Sequence, residues 1–589
     1  MVRGDWRDLS GRWGFAFDDD DRGTRERWFE DPALDSSIVV PFPPESPASE
    51  IGDPHPHGAL WYHRTLTPDD VAAAGHGEGR RLMLRFGAVD YRAAVWVDGQ
   101  HVGSHEGGHT PFSVDITDAL RRGDGGDIVV RAEDRATDVA QPRGKQDWRD
   151  DPHAIWYHRT SGIWQPVWLE SVPAGAAVDW IHWSADLATA RVHARIGLVA
   201  APAGEGSVDI ELRHGDTVLA RTSVLVREAE FEIDIPLPVQ TNGQAYEELL
   251  WSPEHPRLID ATVRISEGGA PVDVVSSYLG LRSAAVDRRL FLLNDRPRFV
   301  RSVLSQGYWP DTHLAAPSAD ALRREVELIK ELGFTAARLH QKFEDPRFLF
   351  WADRLGLMVW GEAPAPFAFT PTAVERTVRE WLEIVHRDYS HPSIVTWVPL
   401  NESWGVQHIA RDSRMLHHAT ALVHLTKALD STRPVVSNDG WEQAETDIVA
   451  IHDYEGDGDV MRARYADRDA VDAMIAGVGP AGRRLVLTGD VSDRPVMLTE
   501  FGGISFDVHH TDNAWGYTSA GSAEDFGERL RSLMSAVHES PVLAGFCYTQ
   551  LTDTLQETNG LVGADRVPKL PVEELRRIMV GPGRVQPWE

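Results

Sequence analysis

Two short apolar runs, each closed by a glutamate, carry the chemistry open to this chain. One is Trp397-Val398-Pro399-Leu400-Asn401-Glu402-Ser403 and the other is Pro495-Val496-Met497-Leu498-Thr499-Glu500-Phe501-Gly502. Paired carboxylates suit glycoside hydrolysis, in which one protonates the leaving oxygen and the other acts as base or nucleophile toward the anomeric carbon. To do so they must face each other across one site. A run of about four to eight apolar residues between turn residues fits a strand buried on both faces. A glutamate at its end lies where strand passes to loop, the rim at which a barrel of parallel strands does its chemistry.

The elements around these runs have the texture such a barrel needs. From about residue 285, short apolar runs alternate with amphipathic helices. Strands are predicted at 299–304, 334–338, 357–360, 394–399, 435–437, 448–451, 496–499 and 542–548. Leu322, Val326, Ile329 and Leu332 recur at helical spacing, with Ser318 as cap and Gly333 as stop. The economical closure is a (β/α)8 TIM barrel over 285–589, with Glu402 after the fourth strand and Glu500 after the seventh. Residues 1–172 read as a β-sandwich of the jelly-roll kind, with Asp98-Gly99 as a hairpin turn. Residues 173–284 read as an immunoglobulin-like β-sandwich. There Val192, Ala194 and Ile196 alternate with polar neighbours, as do Val208, Ile210 and Leu212, and Phe231, Ile233 and Ile235.

Composition narrows the classes. A chain of 589 residues exceeds a single core, so a multidomain protein is expected. The formal net charge of −31 argues against a nucleic-acid partner, which wants a basic face. No apolar run is long enough for a membrane span, and no apolar core of a signal peptide follows Met1 to Trp6. Cys547 is the single cysteine, which excludes an internal disulfide and predicts a reducing, cytoplasmic setting. No nucleophile-elbow, phosphate-loop or zinc-helix motif competes with the two glutamates. No metal-ligand set and no cofactor motif is recognised. A carbohydrate is the expected partner, and the sequence leaves a homo-oligomer open.

At these same residues the chain resembles glycoside hydrolase family 2, which includes β-galactosidases, β-glucuronidases and β-mannosidases. His391-Pro392-Ser393-Ile394 leading to Asn401-Glu402-Ser403 resembles the family's acid/base segment, and Thr499-Glu500-Phe501-Gly502 its nucleophile segment. Tyr157-His158-Arg159-Thr160-Ser161-Gly162-Ile163-Trp164 resembles the signature closing its first β domain, and Phe86 to Tyr91 a segment of its jelly roll. The resemblance implies a retaining mechanism with Glu402 as acid/base and Glu500 as nucleophile. It also implies that Asn401 contacts the sugar 2-hydroxyl, that Tyr454 hydrogen-bonds the nucleophile and that Arg338 holds its charge. Tyr548 stands where the family often has a tryptophan platform. His340, Lys342, Asp439 and Trp441 are further pocket candidates, and His509-His510 could line its mouth.

The departures concern the sugar. The Asn-x-Lys that reads a glucuronide carboxylate has no match, and Glu557-Thr558-Asn559 stands near the C-terminus instead. An acid there would repel a uronate, so a β-D-galactoside-like substrate is expected, with an α-L-arabinoside as a variant. β-Glucuronidase and β-mannosidase are the alternatives within the family. A catalytically silent carbohydrate-binding protein is the alternative outside it. The stretch from Trp148 to Trp156 is the part of the jelly roll expected to reach the pocket.

Overall fold

The structure is a computed structural model, and it describes residues 1–582 apart from 33, 121–124, 242, 244–245 and 509–512. The first layer pairs a four-stranded sheet with a six-stranded one. Leu82, Leu84 and Phe86 of one face Val95, Val97, Ile128 and Val130 of the other in a closed apolar core. Asp98 and Gly99 both take positive φ, 48° and 79°, the geometry of a two-residue hairpin between Arg92–Val97 and Gln100–Glu106. Next comes a sandwich of a three-stranded and a four-stranded antiparallel sheet. Val192, Ala194 and Ile196 point into its core, as do Val208, Ile210 and Leu212. Ile233 and Ile235 are buried with them, while Phe231 packs against that core only partly buried.

The remaining chain builds a parallel sheet that curls into a barrel. Seven strands pair in the order Ile394–Val398, Met358–Glu362, Ala336–Leu339, Val300–Ser305, Leu543–Thr549, Val496–Gly502 and Val449–Asp453. Every ladder is parallel, so all strands end at one rim. The helix Ala319–Glu331 forms as its pattern predicts. Ser318 Oγ accepts from Ala321 N at 3.1 Å, and Leu322, Val326 and Ile329 are fully buried. Each such side chain contributes about 1.5–3 kcal/mol by leaving water. Gly333 follows at φ +95°.

The expected strand at 435–437 is a correction. It is tied to the neighbouring strand by two isolated bridges, Trp397 N to the Pro434 carbonyl at 3.1 Å with Val436 N to that of Trp397 at 2.9 Å, and Asp439 N to that of Leu400 at 2.8 Å with Glu402 N to that of Asp439 at 3.0 Å. On the other side, side chains replace a ladder. Asp447 accepts from Val435 N at 3.0 Å and Thr446 Oγ1 from Ser437 N at 3.3 Å. On that side the amides are taken by side chains close in sequence, so no ladder forms toward a further strand.

Candidate active site

Glu402 and Glu500 meet at the rim. One carboxylate oxygen of each, together with a ring nitrogen of His452, lies within 4.8 Å of the others. This proximity is compatible with a retaining pair, whose carboxyl groups stand about 5–5.5 Å apart. The turn after Ile394–Val398 aims Glu402. Both Glu402 and Ser403 adopt left-handed backbone, at φ 48° and 55°. That conformation costs non-glycine residues about 1–2 kcal/mol each and persists where surroundings enforce it. Here Glu402 N donates to the Asp439 carbonyl at 3.0 Å, and Ser403 N to Asn438 Oδ1 at 2.9 Å.

Arg338 is the hub beneath the pair. It is wholly buried and donates to Glu362 at 2.6 Å, Glu500 at 2.8 Å, the Thr499 carbonyl at 3.1 Å and Asn401 Oδ1 at 2.6 Å. Burial works against its charge, but Asp439, Glu362 and Glu500 hold the guanidinium protonated. Tyr454 donates its hydroxyl to the second Glu500 oxygen, and its ring stacks on Tyr517 at 3.3 Å. Burial alone would raise the Glu500 carboxyl. His452, Arg338 and Tyr454 outweigh it and hold the group down at about 2, ionised at any working pH.

His452 was legible only as part of the tripeptide around Tyr454, yet it joins both glutamates. Its Nδ1 lies 2.8 Å from Glu402 and its Nε2 lies 2.8 Å from Asp439 and 3.4 Å from Glu500. Burial favours the neutral ring, but the three acids push the imidazolium up to about 10. A protonated ring donates at both nitrogens, so it offers no lone pair to a metal while it holds these acids. Glu362, also missed, is pushed up to about 7 by burial despite Arg338. The shared signal is position: like the two catalytic candidates, His452 and Glu362 follow apolar runs where a buried strand reaches the rim.

The other candidates divide. Asn401 has its carbonyl oxygen on Arg338, while its amide nitrogen is buried with no acceptor among the described residues. Trp404 Nε1 is in the same condition. His340 sits 3.0 Å from Glu362 and 3.9 Å from Glu500, and burial keeps it neutral. Asp439 is fully buried and braces His452 and Arg338. Lys342 is a correction: its ammonium is held by Glu344 at 2.8 Å and by the carbonyls of Gly307 and Leu314. Tyr548 is a second correction, because it is fully buried in the barrel core against Phe501 and offers no platform. Trp441 carries the Arg483 guanidinium on its face at 4.2 Å, the face a sugar would need. His509 and His510 lie outside the described residues.

The jelly roll completes the mouth. Gln556 Nε2 donates to the carbonyls of Ala154 and Trp156, and the Tyr157 hydroxyl donates to Glu557. Trp156 packs edge-on to Trp404 at 4.9 Å, and Trp148 and Phe367 extend the aromatic wall beside Glu402.

Fold and site together define a glycoside hydrolase. Residues 6–173 match the glycosyl hydrolases family 2 sugar binding domain, 177–282 the family 2 domain that follows it, and 284–503 the family 2 TIM barrel domain. The chain belongs to glycoside hydrolase family 2 and is an enzyme that hydrolyses O-glycosyl bonds. The β-glucuronidase of Canis lupus familiaris is 26% identical over 490 residues, covering 76% of this chain and 71% of that relative. That of Rattus norvegicus is 25% identical over 550 residues, covering 86% and 78%. The structure of Ruminococcus gnavus β-glucuronidase in complex with D-glucuronic acid superimposes with a TM-score of 0.77 over 98% of both chains, at 18% identity. At that identity it supports the fold alone. Among the described residues no helix is long and apolar enough to cross a membrane.

Proposed function

We propose a retaining exo-β-glycosidase in which Glu500 attacks the anomeric carbon and Glu402 protonates the leaving oxygen. Water then enters on the glycosyl ester, with Glu402 as base. The observation that carries the assignment is the asymmetry around the pair. Glu500 is ringed by Arg338, His452 and Tyr454, as a nucleophile that must stay ionised requires. Among the described residues the Glu402 carboxylate meets His452 alone, and it is the more exposed, on the side of the Trp404–Trp156 wall where a leaving group would sit. The Asn401 amide donates to the sugar 2-hydroxyl, a bond that tightens as positive charge grows at the ring. The reading includes a reducing, cytoplasmic setting, which rests on the lone Cys547.

The sugar we propose is a β-D-glucuronide. Its support is the name carried by the relatives, joined to the state of Glu557. Burial pushes the Glu557 carboxyl up, and Tyr157 and Asn559 hold its oxygens, so the expected repulsion of a uronate weakens. A neutral β-D-galactoside is the second reading. It is favoured because Lys569, the cation near that loop, is committed to Asp553 and the Thr558 carbonyl. Nitrophenyl β-glucuronide, β-galactoside, β-mannoside and α-L-arabinoside, assayed side by side, decide between them. Release from the galactoside alone ends the glucuronide reading, and release from none ends the catalytic one.

A further inference from the structure

We infer that Lys145, a jelly-roll residue, reads the carboxylate of the substrate at the barrel mouth. The inference rests on the glucuronide reading above. Lys145 is 93% buried, and its ammonium has no hydrogen bond or ion pair among the described residues. Its neighbours are aromatic faces, Trp156 at 5.4 Å and Tyr157 at 5.7 Å. A buried charge without a counter-ion is costly, and proteins keep one where a ligand supplies the partner. The contrast within this pocket is sharp: Lys342 and Lys569 each hold a carboxylate, and Lys145 holds none.

The chain is built to put Lys145 there. Gly144 takes φ +61°, and its amide donates to the Ala365 carbonyl at 3.2 Å. A side chain at Gly144 would run into the Gln341 carbonyl, so only glycine lets this turn press onto the barrel loop after Ala336–Leu339. Lys145 itself is pinned by its carbonyl, which accepts from Tyr157 N at 2.9 Å, and Gln146 is rooted on Asp90 and Thr160. The positive charge reaches both sides of the pocket. It acts on Glu557, whose carboxyl it lowers against burial, and on His340, which lies beside the nucleophile. A single cation from another domain thus takes the task that a lysine on the Glu557–Asn559 loop would otherwise perform. The Trp156 and Tyr157 rings fix the ammonium in place, so an incoming carboxylate meets a positioned charge.

The test is Lys145→Met, which keeps the stem on Trp156 and removes the charge. The readout is the ratio of kcat/KM on nitrophenyl β-D-glucuronide to that on nitrophenyl β-D-glucoside, sugars that differ only at C6. This ratio does not depend on how much of the variant folds. We expect it to fall roughly 10- to 100-fold, the worth of one charge-assisted hydrogen bond. An unchanged ratio, with or without a general loss of activity, overturns the inference. If the wild-type enzyme turns over no glucuronide, the substrate reading fails by itself. Calorimetric titration of D-glucuronate then decides the role of Lys145. Binding by the wild type that is lost in Lys145→Met upholds it, and no binding, or equal binding by both, overturns it.

Discussion

Replacing His452 by glutamine tests whether the nucleophile is held ionised by a neighbouring cation. The imidazolium lies 3.4 Å from Glu500. Two unit charges at that distance attract by about 5 kcal/mol at an effective dielectric constant near 20. Glutamine keeps a donor and removes the charge, leaving Arg338 at 2.8 Å as the principal cation on Glu500. Desolvation of the pair cancels part of the attraction, so the Glu500 carboxyl should rise by about 1–3 pH units from its depressed value. The acid limb of kcat/KM reports the essential base of the free enzyme, so it should move to higher pH by that amount. An acid limb that moves by less than about 0.5 pH unit in an active, folded variant would refute the electrostatic account. The same change has a signature in stability. His452 is raised, so its contribution is fully present below pH 6.5 and is lost as pH rises through about 10. Glu500 is depressed, so its contribution is present above pH 4.5 and is lost as pH falls through about 2. Both act together between those limits. His452→Gln should remove the decline in Tm between pH 6.5 and 10, and a wild-type-like decline would contradict the assignment.

Other outcomes follow from the same geometry. Glu500→Ala should abolish turnover of every glycoside, whereas Glu402→Ala should keep activity on dinitrophenyl glycosides, whose leaving group needs no acid. Equal losses on activated and unactivated substrates would exchange or dissolve the roles. Asn401→Ala should cut kcat/KM by about 100-fold on 2-hydroxy substrates and far less on 2-deoxy analogues. A loss that ignores the 2-hydroxyl would make Asn401 only a brace for Arg338. Arg338→Met leaves Glu362 and Asp439 buried without their main cation and should cost about 3–5 kcal/mol in denaturant unfolding. A change below about 1 kcal/mol would mean that those acids are protonated in the wild type.

The periodic parts of the chain made the fold legible. Leu322, Val326 and Ile329 recur at helical spacing, and Val192, Ala194 and Ile196 at strand spacing, because each face meets a core wherever it is placed. The 435–437 segment failed as a strand because Asp447 and Thr446 satisfy its amides, and no apolar pattern reports such a substitution. Glu402 and Glu500 could be found because a charged residue closing a buried run is conspicuous. His452 and Glu362 obey the same rule and were overlooked because neither stands in a paired motif.

What the sequence determined by itself, then, was the order of the layers and the identity of two acids, since both follow from patterns within about ten residues. What only the tertiary structure decided was the company those acids keep. Lys342 and Lys145 are both buried lysines, yet one is neutralised by Glu344 and the other has no ion pair among the described residues. Tyr548 lies in the core and Tyr454 on Glu500, though each stands near the end of a barrel strand. Charge state and reach depend on burial and on partners hundreds of residues away, and a one-dimensional spacing does not encode them.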